Sequence, residues 1–249
     1  MMVEPYRYLV VLFYLVLTLW LLKYLKIRVY REAFTGAART ILQLLIMGSI
    51  LMAVFRVDSR ILDAGVLLAM VTAASFTARG RVHGGGELKI TFVAILAASA
   101  AVILPMTLLG AFDRVSSFLI PMSGMVIGNA MNSTALSMER IHREMDLNRD
   151  TIEVLLALGV DPERATDSLV KKSVSAALIP VLNSMKTTGL VHIPGLMTGM
   201  LLSGADPIHA AQMQAIIIYL IFIGAVLSSL IATKLMRRTY FTDYDALRI

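Results

Sequence analysis

The sequence has no cysteine and few charged residues. The absence of cysteine from 249 residues excludes disulfides, thiol catalysis and thiolate metal ligands. Charged residues make up 16% of the chain, whereas a soluble domain normally carries about a quarter. Hydrophobic residues make up 57%, and the mean hydropathy is +0.76. A water-soluble fold could not bury so much apolar surface, so the composition indicates an integral membrane protein.

Long uncharged runs divide the chain into potential membrane spans. A helix needs about 20 residues to cross the hydrocarbon core, and Lys or Arg at its ends can extend a shorter run. We interpret 173–205 as one broken helix, or as a helix plus a re-entrant turn, because Pro180 and Pro194 interrupt it. The expected fold is an all-α transmembrane bundle of about seven spans. The runs are Tyr8–Leu22, Thr40–Phe55, Ala64–Ala78, Ile90–Phe112, Val115–Met138, Ser173–Met185, Thr187–Ala205 and Pro207–Thr233.

Basic residues are distributed unevenly between the connecting segments. Most of the 23 Lys and Arg residues lie in 23–39, 79–89, 139–172 and the C-terminal tail. Cytoplasmic loops carry an excess of Lys and Arg. The distribution predicts a multi-pass protein of the cell membrane, with its N-terminus outside and its C-terminus in the cytoplasm. We therefore attribute the net charge of +6 to basic residues that contact lipid headgroups, and not to binding of nucleic acid.

Segment 139–172 is the main predicted cytoplasmic feature, and it has the pattern of two helices joined by a tight turn. Apolar residues at i, i+3 and i+4 form one face of the first helix, and a glycine stop, an Asp cap and a proline at the first helical position follow. The face suits either a groove in a partner protein or the membrane domain itself. The face residues are Ile152, Leu155 and Leu156, and the turn residues are Gly159, Asp161 and Pro162.

Amide side chains fall within the uncharged runs, and four of them are candidates for a functional role. Polar groups at membrane depth need partners, so they either form interhelical hydrogen bonds or line a translocation path. These candidates are Gln43, Asn129, Asn132 and Asn183. Glycines at four-residue spacing allow close helix packing, and a proline inside a span favours a kink or a gate. The candidates for packing and gating are Gly124, Gly128, Pro180, Gly195 and Gly199.

The sequence has none of the common motifs for nucleotide hydrolysis or zinc catalysis. The glycine run Gly84–Gly86 has no following Lys-Ser/Thr, so we expect a flexible loop there and no ATP hydrolysis by this chain. No H-E-x-x-H motif occurs, and a metalloenzyme is not expected. Asp206 and His209 could attract a cation, or Asp206 could cap a helix that begins at Pro207. The sequence identifies no metal ligands.

Five sequence blocks carry a resemblance to known transporter families. Glu153–Pro162, E-V-L-L-A-L-G-V-D-P, resembles the coupling loop of ABC importer permeases. Four further blocks together resemble the FetB-type iron-export permeases of bacteria and the related plant aluminium-tolerance half-transporters. They are A-R-T-I-L-Q-L at Ala38–Leu44, G-M-V-I-G-N-A-M-N at Gly124–Asn132, L-L-A-L-G at Leu155–Gly159, and the long block Ala176–Gly199.

The resemblance implies a single permease domain over 1–249, with the coupling elbow at about 139–172. It implies a homodimer of permease subunits and a separate cytoplasmic ATPase that uses ATP and Mg, with no cofactor bound by this chain. The elbow residues Glu153, Leu155, Leu156, Gly159, Asp161 and Pro162 would then contact the ATPase. Bacterial members are linked to iron efflux and plant relatives to a nucleotide sugar, so the expected function is metal export, with iron as the first candidate.

Two other classes remain open at this point. One is a channel or secondary carrier that works without an ATPase, and the other is a membrane scaffold for an ATPase. No Asp or Glu falls in the central part of a predicted span, which argues against proton coupling.

Overall fold

The structure is a computed structural model that describes residues 5–57, 59–82, 87–110, 116–242 and 246–247. These residues form helices and no strands, which confirms the all-α prediction. The glycine run Gly84–Gly86 lies outside the described residues. The helices are α1 (Pro5–Tyr24), α2 (Tyr30–Val57), α3 (Arg60–Arg81), α4 (Leu88–Leu108), α5 (Ser116–Leu147), α6 (Arg149–Ala157), α7 (Pro162–Thr187), α8 (Gly195–Leu202) and α9 (Pro207–Arg238).

The chain divides into two compact units, and the first contains α1 and α2. Most of the described side chains of this unit are apolar and exposed. Its helices satisfy several hydroxyls internally, since Thr18, Thr40 and Ser49 each donate to the carbonyl four residues earlier. A helix that is apolar on most faces and has few free polar groups suits hydrocarbon surroundings.

The second unit, residues 58–249, packs around α5 and α9. These two helices run parallel. Ser228 Oγ of α9 donates to the Ala130 carbonyl of α5 at 3.2 Å, and one turn earlier Gly224 faces Val126. A Cβ placed on Gly224 would lie 3.1 Å from Val126 Cγ1. Small residues therefore bring the two backbones close, which is how helices associate where the hydrophobic effect does not drive packing.

The helix α7 runs antiparallel to α5, since Lys172 Nζ lies 4.0 Å from Glu144 Oε2, whereas Ser184, later on α7, lines a cavity together with Asn129, earlier on α5. It continues from Pro162 through Pro180 to Thr187 without interruption. The break expected within 173–205 falls after Thr187, where Gly189 adopts a φ of +81° and α8 follows at Gly195. With eight residues, α8 is about 12 Å long. It is too short to cross a hydrocarbon core of about 30 Å.

Four described helices are long and apolar enough to cross a membrane, namely α2, α3, α4 and α9. The charged ends of α5 and α7 extend beyond their uncharged runs. Helix α5 continues past Met138 to Leu147, and α7 begins at Pro162. The segment 139–172 is therefore the end of one long helix, the short helix α6, and the start of another long helix.

Candidate functional site

The helix–turn–helix at α6 and α7 has the local geometry that the sequence predicts. Helix α6 ends at Ala157, and Gly159 adopts a φ of +81°, which a residue with a side chain rarely adopts. Asp161 Oδ1 accepts a hydrogen bond from the Glu163 backbone N–H at 2.9 Å, and Pro162 is the first residue of α7. The turn is therefore fixed by a glycine and a capping carboxylate, as local sequence signals suggested.

The expected apolar face of α6 packs back onto the chain. Ile152 is 1% exposed and belongs to a buried cluster with Met138, Ile141 and Met145 of α5. Leu156 packs against the same cluster. Two of the three residues of the predicted face, Ile152 and Leu156, therefore pack on the chain's own core, whereas Leu155 is only half-buried and is not part of this cluster.

A different pair of apolar side chains remains open on α6 and its turn. Val154 is 59% exposed and Leu158 is 75% exposed. They are four residues apart, so they lie on one side of the helical segment. The exposed pair flanks the buried face at Ile152 and was not distinguished from it by sequence periodicity. Glu153, next to this pair, makes an exposed ion pair with Arg149 at 3.0 Å.

The elbow is held to the end of α9 by a charged hydrogen bond. Arg237 Nη2 lies 2.5 Å from Glu163 Oε1, and the Arg237 side chain is buried. A weaker contact joins α5 to α7, where the exposed Lys172 Nζ lies 4.0 Å from Glu144 Oε2. Nothing local in the sequence indicates which helices meet, so these two contacts could not be predicted from it.

A cavity of about 160 Å³ lies between α5, α7 and α9. Two of the predicted path residues, Asn129 and Asn132, line it. They are three positions apart in the sequence, which places them on one side of α5. Pro180 also lines it. The remaining lining residues are Ser133, Leu136, Ala177, Val181, Ser184, Ile218 and Ile221.

The amides in this cavity differ in their hydrogen bonding. Asn129 Nδ2 donates to the Met125 carbonyl of its own helix at 2.9 Å. Asn132 Oδ1 accepts from Arg81 Nη1 of α3 at 3.3 Å. A guanidinium therefore lies beside the cavity, and none of the described residues that line it carries a carboxylate. The site combines amide and hydroxyl groups with one adjacent positive charge.

The other predicted path residues lie elsewhere. Asn183 is exposed on α7 and is not among the residues that line the cavity, although its neighbour Ser184 is. Gln43 lies on α2 in the first unit, where its side chain is exposed. Among the described residues, no group of three or more His, Cys, Asp or Glu side chains is arranged to hold a metal ion.

The candidate packing glycines differ in their surroundings. A Cβ on Gly124 would lie 2.8 Å from Met70 Cε, so the end of the Met70 side chain of α3 packs against this glycine of α5. A Cβ on Gly128, Gly195 or Gly199 meets no described atom within 4 Å. A Cβ on Gly224, which is not among these candidates, would lie 3.1 Å from the side-chain atom Val126 Cγ1 of α5.

The capping alternative for Asp206 is the one that the structure contains. Its Oδ2 accepts a hydrogen bond from the His209 backbone N–H at 2.9 Å, and Pro207 begins α9. This arrangement satisfies a free N–H in the first turn of a long apolar helix.

Several long apolar helices that pack through small residues define a multi-pass membrane protein. The chain belongs to the uncharacterised protein family UPF0014, whose model matches residues 6–241. It is 35% identical over 215 residues to UPF0014 membrane protein STAR2 of Oryza sativa subsp. japonica, covering 85% of this chain and 74% of the rice protein. No solved structure matches the chain significantly.

Two further relatives carry functional names. Protein ALUMINUM SENSITIVE 3 of Arabidopsis thaliana is 33% identical over 212 residues, covering 85% of this chain and 78% of that protein. The probable iron export permease protein FetB of Escherichia coli (strain K12) is 30% identical over 219 residues, covering 88% of this chain and 85% of that protein. These similarities confirm the family suggested by the sequence blocks.

Proposed function

We propose that this chain is the permease subunit of an ABC-type transporter that exports a metal, with iron as the first candidate. A separate cytoplasmic ATPase supplies the energy, and two permease subunits enclose one path. In this proposal the chain crosses the inner or plasma membrane seven times, with its N-terminus outside, and has no enzymatic activity of its own. The exposed pair Val154 and Leu158 on the anchored elbow is the observation that carries it.

The elbow is suited to transmit motion because it is fixed to long helices on both sides. Ile152 secures α6 to α5, and α7 continues directly from the turn to Pro180 at the cavity. A partner that binds the exposed side of α6 and displaces it would therefore also displace α7, which reaches the cavity. The similarity to a protein named as a probable iron export permease supports the transport direction and the substrate.

Because Asn129, Asn132 and Ser184 line the cavity, we include these three residues in the proposed translocation path. Amide and hydroxyl oxygens are ligands that hard cations accept. Arg81 places a positive charge beside Asn132, which opposes a bare cation. Flux measurements should therefore compare ferrous iron, other divalent metals and an organic solute in proteoliposomes that contain the chain and its ATPase.

Assembly with the ATPase tests the elbow. We expect Val154→Asp and Leu158→Asp to abolish co-purification of the ATPase and stimulation of its ATP hydrolysis, because a carboxylate would be buried in the partner's groove. Leu190→Asp is the matched control, since Leu190 is 88% exposed in the connection after α7, at the other end of that helix. Full assembly of both elbow variants would rule out this role for α6.

The side of the membrane is tested separately. The natural chain has no cysteine, so Leu158→Cys and Leu190→Cys each introduce a unique thiol. An impermeant maleimide should label Leu190→Cys in intact cells and Leu158→Cys only after permeabilisation. The reverse pattern would contradict the proposed orientation and the coupling role together.

A further inference from the structure

A groove of about 680 Å³ opens between the start of α7 and the end of α9, and the functional proposal above does not use it. Its rim is largely basic and its inner wall is apolar. The lining residues are Glu163, Arg164, Asp167, Ile231, Lys234, Leu235, Arg237 and Arg238.

The two acidic residues of the groove already have cationic partners. Glu163 pairs with the buried Arg237 at 2.5 Å, and Asp167 pairs with Lys171 at 2.6 Å. The Lys171 ammonium, with Arg237 and Lys234 adding smaller effects, lowers the pKa of Asp167 below its ordinary value. Both carboxylates of the groove therefore already have a cationic partner.

Three further cations of the groove remain available for a ligand. Arg164, Lys234 and Arg238 are exposed, and within the part of the chain that the structure describes they form no salt bridge. Lys234 and Arg238 are one helical turn apart on α9, and Arg164 faces them across the groove from the first turn of α7. Guanidinium and ammonium groups at this spacing suit a phosphate, which accepts several charged hydrogen bonds at once.

The apolar wall continues along α9 in the direction of the membrane. Ile231 and Leu235 line the groove, and Leu227 follows one turn further on the same side of the helix. Helix α9 is among those long and apolar enough to cross a membrane. The groove therefore lies where this helix passes from hydrocarbon to the charged interface, with cations at the headgroup level and aliphatic side chains below them.

We propose that this groove binds the phosphate of an anionic phospholipid, with the acyl chain against Ile231 and Leu235. A soluble phosphate ester would use the same cations but would leave the aliphatic wall without a partner. Basic pockets between transmembrane helices at the membrane surface are a known mode of anionic lipid recognition. The site would tie the elbow to its lipid surroundings, because the same groove contains the Glu163–Arg237 contact. It does not depend on the transport proposal.

Lipid binding by the purified full chain tests the site. We expect native mass spectrometry in detergent to show phosphatidylglycerol retained in preference to phosphatidylcholine. The double variant Lys234→Gln with Arg238→Gln should weaken that binding by about fivefold for each lost charge. Arg143→Gln with Arg149→Gln is the matched control. It removes the same charge from exposed ion pairs outside the groove, and its lipid preference should equal that of the wild type.

Three outcomes would overturn the proposal. Retention of phosphatidylcholine equal to that of phosphatidylglycerol would show that the groove does not recognise the lipid charge. Equal loss of phosphatidylglycerol in the groove and control variants would reduce the effect to net charge. Displacement of bound lipid by soluble glycerol phosphate would assign the groove to a free phosphate ester. The melting temperature of each variant shows whether it is folded. Arg164→Gln removes a third cation of the groove and tests the site independently.

Discussion

Arg237, buried near the end of α9, donates to the carboxylate of Glu163 in the first turn of α7, with Nη2 and Oε1 2.5 Å apart. This contact joins residues 74 positions apart in the chain and fixes the elbow to the last turn of α9. Arg237 also points Nη1 at the Glu163 carbonyl at 3.5 Å. The base of the elbow is therefore part of the helical bundle rather than a free extension.

Glu163→Gln should lower the stability of the second unit. The change leaves the buried Arg237 guanidinium without its carboxylate, which costs about 1 to 3 kcal/mol. Thermal unfolding in detergent measures the effect. Glu153→Gln is the control, because it removes an equivalent charge from the exposed Arg149–Glu153 pair and should cost under about 1 kcal/mol. Equal melting temperatures for the two variants would show that the Arg237 contact contributes nothing.

Gly224→Val should disrupt the packing of α5 against α9. A Cβ at this position would lie 3.1 Å from Val126 Cγ1, and valine adds two methyl groups beyond it. We expect this overpacking to lower the free energy of unfolding by about 1 to 3 kcal/mol. Gly65→Val is the matched control, since Gly65 is exposed on α3 and its Cβ meets no described atom within 4 Å. A melting temperature for Gly224→Val as high as that of the control would mean that α9 can shift freely along α5.

The Tyr240 hydroxyl should make stability sensitive to alkaline pH. Tyr240 follows α9, is hydrogen-bonded to His142 Nδ1, and belongs to the same buried cluster as Ile152. Burial, and then the Asp146 carboxylate, raises the pKa of Tyr240 above its ordinary value of 10.0. Because the unfolded tyrosine ionises first, the stabilisation is complete below pH 10 and declines as pH rises above it.

Tyr240→Phe isolates this titration. The variant should lose the His142 hydrogen bond and be less stable at pH 8, and its melting temperature should fall less steeply than that of the wild type between pH 9.5 and 11. Other groups also titrate in this range, so the difference between the two slopes is the quantity to compare. Parallel slopes would contradict the shifted pKa.

The elbow could be predicted from the sequence because its signals are local. Gly159, Asp161 and Pro162 act on their own turn, and they fix where α6 ends and α7 begins whatever the rest of the chain does. Which apolar residues of α6 face the core could not be predicted in the same way. Ile152 is buried and Val154 is exposed because of the position of α5, and helix periodicity contains no information about that position.

The length of α5 shows the limit of reading helix ends from charge. The uncharged run ends at Met138, but the helix continues for nine residues to Leu147. Its charged side chains stabilise the extension through pairs at four-residue spacing. Glu139 pairs with Arg143 at 2.9 Å, and Arg140 pairs with Glu144 at 2.6 Å. The loss of apolar character marked the membrane boundary expected from composition, not the end of the helix.

The residues of the candidate path could be predicted from the sequence only where they lie on the same helix. Asn129 and Asn132 reach the same cavity because they lie on one side of α5, whereas the contact of Asn132 with Arg81 depends on how α3 is set against α5. Asn183 shows the same limit, since its neighbour Ser184 lines the cavity and Asn183 does not. Sequence spacing selects residues on one helix face, and tertiary packing decides which face meets a cavity.

Asn132 offers a test that separates a path role from a structural one. Asn132→Leu removes both the amide and the acceptor for Arg81, whereas Asn132→Asp keeps an oxygen for Arg81, replaces the amide N–H groups by a second oxygen and adds a negative charge. If Asn132 serves the path, both variants should lower flux in proteoliposomes with the ATPase while their melting temperatures stay near that of the wild type. If Asn132 serves only to hold Arg81, Asn132→Asp should restore flux that Asn132→Leu loses. Asn183→Leu is the control, because its side chain lies outside the cavity and its loss should reduce flux less than that of Asn132. A larger loss for Asn183→Leu would move the path from the cavity between α5, α7 and α9 to the exposed side of α7.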